Sequence, residues 1–201
     1  MPLFGKSAEK LCLQGEKLMA KGLYEEAIEK FGEAIELGKD NLVVRCVAEL
    51  NMGVCYARLN NKEKAMEHNE KAIELVKMQK NLPAEEPEDE EEKERFYKNL
   101  FSHEVSVQAY FNKGIVMRAM DKLEESREIF DNLIKYVPWA FRVREPIFRM
   151  ERFETIVAMV EKEKETIPGL IPVNYIEEQY RKLGYSKEEM EKDFKVVHPE
   201  Q

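Results

Sequence analysis

The sequence predicts an all-α fold, a stacked array of helix pairs, and three observations carry that prediction. Glycine and proline are sparse, 9 and 8 among 201 residues, while the helix-favouring Glu, Lys, Leu, Ala and Met are abundant. Apolar residues recur at helical rather than strand intervals. One pattern of small and large side chains occurs three times. At 43% hydrophobic and 36% charged content, the chain is apolar enough to bury a core and long enough for one or two domains.

The first copy, "LCLQGEKLMAKGLYEEAIEKFGEAIELGK" from Leu11, sets Gly15, Leu18, Gly22, Tyr24, Ala27, Phe31, Ala34 and Leu37 in its columns. The second holds Gly53, Tyr56, Asn60, Lys62, Ala65, Asn69, Ala72 and Leu75 there, and the third Gly114, Met117, Asp121, Leu123, Ser126, Phe130, Leu133 and Tyr136. Each copy reads as two antiparallel helices. A glycine in the first helix admits a close neighbour, a turn follows at Lys21 to Leu23, Asn60 to Lys62 or Met120 to Lys122, and Ala27, Ala65 or Ser126 gives the second close contact. Phe31 and Phe130 fill the wedge between the helices. A single pair cannot bury its apolar face, so the copies must stack.

These columns resemble the tetratricopeptide repeat (TPR), a helix-turn-helix motif of about 34 residues. The third copy resembles it most, with Tyr110 in the opening aromatic column and Pro138 in the closing proline column. Leu11 and Glu49 replace the aromatic in the first two copies, and Lys39 and Lys77 the proline. The resemblance implies a right-handed TPR-like helical solenoid, with repeats at about residues 8–41, 46–82 and 107–138.

The surplus between repeats two and three contains Pro83 to Glu94, "PAEEPEDEEEKE", whose eight acids and one lysine carry −7 of the chain's net −8. It reads as a charged connector, 83–94, leading into an early-starting first helix of repeat three. After Pro138, Met150, Phe153, Ile156, Val157 and Val160 recur at helical spacing, which predicts a capping helix over 139–166. Arg142, Arg144, Arg149 and Arg152 beside them read as a solvated basic face, with an anionic-ligand site as the alternative. In 167–201, Asn174 with Glu177 and Ser186 with Glu189 form capping-box-like pairs around the stop signal Gly184, giving a C-terminal helical hairpin and tail.

Little points to chemistry. His68, His103 and His198 share no metal-ligand or triad spacing, and "GKS" at Gly5 to Ser7 lacks the strand and earlier glycine of a phosphate loop. Cys12, Cys46 and Cys55 follow no metal spacing and read as reduced core thiols. No catalytic, cofactor or metal site is expected, and no enzyme. No basic stripe points to nucleic acid, and no segment approaches a membrane span. The N-terminus, broken by Lys6, Glu9 and Lys10, lacks a signal-peptide core, so a cytoplasmic location is expected.

The resemblance implies that first helices line a concave peptide groove. Carried over by position, that groove displays Leu13 and Glu16, then Leu50, Asn51, Val54 and Arg58, then Phe111, Asn112, Ile115 and Arg118, with Cys12 and Met19 beside them. The expected function is a non-catalytic adaptor or scaffold holding a peptide or helix of a partner protein. The alternative is a structural subunit or homo-oligomer whose groove is filled by its own C-terminal helices or a second copy. Repeat proteins that hold acidic heat-shock chaperone tails use a Lys, Asn and Arg clamp. Here its columns hold Cys12, Glu16, Asn51, Gln108 and Asn112, so that ligand is disfavoured.

Overall fold

The computed structural model describes residues 7–164 and 171–199, so the ends of the expected capping helix and of the tail lie outside the described residues, as do Gly5 and Lys6. The described residues form ten α-helices in order: α1 Ala8–Met19, α2 Tyr24–Leu37, α3 Leu42–Arg58, α4 Lys62–Gln79, α5 Glu90–Leu100, α6 Glu104–Ala119, α7 Leu123–Tyr136, α8 Glu145–Lys164, α9 Val173–Lys182 and α10 Lys187–Val197. A 3-10 stretch, Trp139–Arg144, enters α8, and no strand occurs among the described residues. The antiparallel pairs are α1 with α2, α3 with α4 and α6 with α7. Each second helix also packs on the next first helix, α2 on α3, α4 on α6 and α7 on α8, so α8 occupies the place of a fourth first helix.

The turns inside the pairs share one geometry. Gly22, Asn60 and Asp121, members of a single column, have φ of 76°, 57° and 63°. Glycine takes this left-handed conformation freely, and Asn and Asp tolerate it better than other residues do. The next residue's N–H then reaches back to close the helix end: Leu23 donates to the Leu18 carbonyl at 3.0 Å, Asn61 to Tyr56 at 2.8 Å and Lys122 to Met117 at 2.9 Å.

The helix-crossing columns also act alike. Ala27, Ala65 and Ser126 are fully buried, and Gly15 and Gly114 lie directly against the rings of Phe31 and Phe130. In the middle repeat Asn69 takes the ring's place beside Gly53; buried completely, it donates to the Ala65 carbonyl at 2.7 Å. Ser126 donates to the Gly114 carbonyl at 2.9 Å, so the hydroxyl in an alanine column is satisfied.

Between repeats two and three the structure departs from a connector running into one early-starting helix. The second half of the acidic run is helical: Asp89 Oδ1 accepts the N–H groups of Glu91 and Glu92 at 3.0 Å, and three glutamates occupy the first turn of α5, where the helix dipole favours them. The chain then breaks at Phe101 to His103 before α6. Leu100 and Phe101 are wholly buried, and Tyr97 stacks on Tyr136 at 5.2 Å. Tyr97, Leu100 and Phe101, three and four residues apart, share the inner face of α5. His103 Nδ1 accepts the Val105 N–H at 3.3 Å and starts α6 anew.

Beyond the repeats, Phe153, Ile156 and Val160 of α8 are buried, whereas Met150, expected on the same stripe, is 39% exposed. Helices α9 and α10 pack on α8 through a cluster centred on Phe153, Ile156, Ile176 and Tyr180. Ser186 caps α10 by accepting the Glu189 N–H at 3.2 Å, and Gly184 has φ of 83°. The Asn174 pair does not cap: α9 begins after Pro172, with Asn174 already inside the helix.

Candidate protein-binding face

Helices α1, α3, α6 and α8 lie side by side. On α3, Val43, Val47, Leu50 and Val54 recur at intervals of four, three and four, which puts them on one helix face. Val43 is 54% exposed, and Val47, Leu50 and Val54 are half-buried. Phe111 and Ile115 continue the stripe on α6, and the exposed Ile147 and Met150 on α8. Val47, Leu50, Phe111 and Ile115 pack against the main core, so the stripe is the open edge of that core and is held rigid by it.

The sequence-predicted residues separate into two groups. Leu13 and Glu16 are exposed on α1, Arg58 is exposed at the end of α3, and Asn51 is half-buried beside Leu50 with no side-chain hydrogen bond to the described residues. Cys12 is buried, and Met19 packs against the core of the first repeat. Asn112 and Arg118 are committed to internal contacts. Asn112 accepts from Gln108 at 3.1 Å and is turned towards Asn69 on α4. Arg118 donates to the carbonyl of Glu151 at 2.9 Å and to its carboxylate at 2.6 Å, tying α8 to α6. Val43, Val47 and Ile147 were not anticipated; the spacing of the three α3 valines with Leu50 was the available signal.

The arginines do not form a solvated basic face. Arg152 donates from Nε to Asp193 Oδ2 at 2.7 Å, from Nη2 to Asp193 Oδ1 and Glu189 at 2.8 Å, and from Nη1 to Asp131 at 3.0 Å. Arg149 reaches Asp193 at 3.0 Å and Glu145 at 2.9 Å, and Tyr180 donates to Asp193 at 2.9 Å. Arg149, Arg152 and Asp193 are all buried. Burial opposes the charge on Arg152, but the bonds and charge of Asp193 outweigh it and raise its pKa. This cluster fastens α10 to α8 and α7. Of the four arginines, Arg142 alone is exposed, and Arg144 pairs with Glu104.

Residues 108–138, covering most of α6 and all of α7, match the tetratricopeptide repeat family model. The chain carries a tetratricopeptide repeat. Across its length the chain has the fold of a solved structure from Podosopora anserina, described as a kinesin light chain with nearly identical TPR-like repeats. The TM-score is 0.56 at 12% identity, over 94% of this chain and 93% of that one. At that identity the likeness shows the fold, an all-helical TPR-like solenoid, and no curated protein matches.

His68, Glu49 and the three cysteines are built into the packing of the helices. His68 Nδ1 lies 2.6 Å from Glu49 Oε2; both are buried, and the Tyr56 ring stacks on the imidazole at 5.0 Å. Burial pushes each thiol of Cys12, Cys46 and Cys55 up to about 11, which leaves them protonated near neutral pH. A cleft of about 600 Å³ lies on the opposite side of α6 from the stripe, between α5 and α7, and is lined by both signs of charge. No described helix is long and apolar enough to cross a membrane.

Proposed function

We propose that the chain is a non-catalytic adaptor or scaffold that holds a peptide or helix of a partner protein on the face made by α1, α3, α6 and α8. The observation that carries this reading is the apolar stripe from Val43 through Val54, Phe111 and Ile115 to Ile147, backed by rigid core and left open. Such a surface suits the apolar anchors of an amphipathic segment, and Asn51 supplies an unengaged amide for a partner's backbone. Helices α9 and α10, the chain's own candidates for filling a groove, pack instead on Phe153 and Ile156 of α8. The exposed Glu16 and the mutual bond of Gln108 and Asn112 argue against a doubly acidic chaperone tail.

The test is selection of a displayed random peptide library on the purified chain. Because Leu50 packs into the core, the informative variant is Val54→Asp. A buried valine contributes about 1.5–3 kcal/mol, so selected peptides should bind Val54→Asp at least roughly tenfold more weakly. They should bind Val173→Asp, altered at an exposed position of α9, normally. Selected peptides indifferent to Val54→Asp would refute the assignment.

A further inference from the structure

A chain of three amide side chains runs from the interior of repeat two to the binding face. Asn69 on α4 is wholly buried, and Gly53 on α3 leaves room for it: a Cβ at position 53 would stand 3.0 Å from three atoms of the Asn69 amide. Asn69 Nδ2 donates to the Ala65 carbonyl at 2.7 Å. Asn112 Nδ2 on α6 donates to Asn69 Oδ1 at 3.5 Å, the longest of the links, and Gln108 Nε2 donates to Asn112 Oδ1 at 3.1 Å. Gln108 precedes Phe111, Asn112 and Ile115 by three, four and seven residues, which places it on their face of α6. In the other two repeats a phenylalanine ring, Phe31 or Phe130, stands in the column of Asn69 and carries no such chain.

The direction of the chain is fixed from inside. A carbonyl oxygen only accepts, so Ala65 takes the nitrogen of the Asn69 amide and leaves the Asn69 oxygen facing α6. That oxygen meets no other donor among the described residues, and a buried acceptor is costly to leave unpaired. Asn112 is therefore held with its nitrogen inward and its oxygen towards Gln108, which answers with Nε2. Gln108 Oε1 is what the chain leaves outward. It engages no donor among the described residues, and on this half-buried side chain it is open to solvent.

We propose that Asn69 is a positioning residue of the binding face: through Asn112 it turns the Gln108 amide so that an acceptor oxygen faces the partner, and that oxygen receives one main-chain N–H of the bound segment. The proposal rests on the reading of the face given above and adds the polarity of its hydrogen bonding. A helix beyond its first turn has no main-chain N–H to spare, so the bound stretch is extended, or just entering a helix, where it meets Gln108. An outward acceptor also turns a carboxylate away, as the exposed Glu16 does on α1.

The test uses peptides selected from the displayed library on the full, unaltered chain and remade with single N-methyl groups, each of which removes one main-chain N–H. At one position methylation should weaken binding about tenfold, the effect of one hydrogen bond whose partner is left unpaired. Gln108→Leu should abolish that penalty, and Gln108→Glu, which keeps an acceptor oxygen, should retain it. Asn69→Leu, similar in shape but without polar atoms, should cut the penalty to roughly threefold or less, because the Gln108 amide can then turn either way. Asn69→Phe, which supplies the ring that Phe31 and Phe130 supply in the other repeats, should do the same and stands in if the leucine variant does not fold. By NMR, the Asn69 variants should also move the side-chain amide signals of Gln108. Signals left unmoved, a penalty as large in the Asn69 variants as in the unaltered chain, or no penalty that depends on Gln108 would overturn the proposal. If the peptides need Val54 while no methylation penalty depends on Gln108, the face stands and the proposal fails. If a penalty tracks Gln108 and Asn69 although binding ignores Val54→Asp, the proposal stands and the wider stripe fails. A library that yields no peptide overturns both.

Discussion

Gly15→Ala should destabilise the first repeat although alanine is the better helix former. A Cβ at position 15 would sit 2.6, 2.7 and 2.9 Å from three ring atoms of Phe31, which has no exposed surface into which to withdraw. Overpacking of this kind costs about 1–3 kcal/mol. Replacing a mid-helix glycine by alanine returns about 1 kcal/mol. Because the contacts are at ring carbons held inside the core, the upper half of the overpacking range applies, for a net loss of roughly 1–2 kcal/mol. At Gly53 the corresponding contacts are all 3.0 Å and all to the terminal amide of Asn69, so Gly53→Ala should change stability by only about 0.5 kcal/mol. Urea denaturation followed by circular dichroism, comparing midpoints at constant slope, measures both. A double-mutant cycle with Phe31→Leu adds the decisive readout: removing the ring's far atoms should make Gly15→Ala neutral or stabilising, a coupling of about 1 kcal/mol or more. Additive effects, or a Gly15→Ala no worse than Gly53→Ala, would refute the account of the glycine column.

Two further outcomes follow from the ion cluster at the C-terminal hairpin. Asp193→Asn removes the buried negative charge shared by Arg149 and Arg152, a loss of about 3–5 kcal/mol for a broken buried pair; amides of α9 and α10 should lose hydrogen-exchange protection while those of α1 to α4 keep theirs, and unchanged protection would contradict the role given to Asp193. Burial pushes the Glu189 carboxyl up, but the bonds and charges of Arg152 and Arg149 outweigh it and set its pKa below the ordinary value. A lowered native pKa means stability that is present above the ordinary glutamate pKa of about 4.3 and lost as pH falls through the native value. Hairpin protection should therefore fade on acidification through that window, and Glu189→Gln should flatten the profile.

The face also illustrates what position in a motif can and cannot say. Leu50, Asn51, Val54, Phe111 and Ile115, which the resemblance assigns to the expected groove, stand half-buried on α3 and α6. Asn112 and Arg118 occupy equivalent positions, yet one is turned towards Asn69 and the other holds Glu151. Their partners are 43 and 33 residues away in the chain, and no periodicity encodes such pairings.

The sequence alone determined the paired helices of the three repeats, their turns and the close-packed columns, because these depend on contacts between residues near in the chain. Gly22, Asn60 and Asp121 can each adopt a left-handed turn, and glycine in the first helix leaves room for the side chain that crosses it. Only the tertiary structure decided the fate of the charges. Arg149 and Arg152 have the spacing of an exposed basic face, and they are buried because Asp131, Asp193 and Glu189 arrive from two other helices to neutralise them. A charged side chain leaves water only when partners of opposite sign are already placed to receive it, and that placement belongs to the folded chain as a whole.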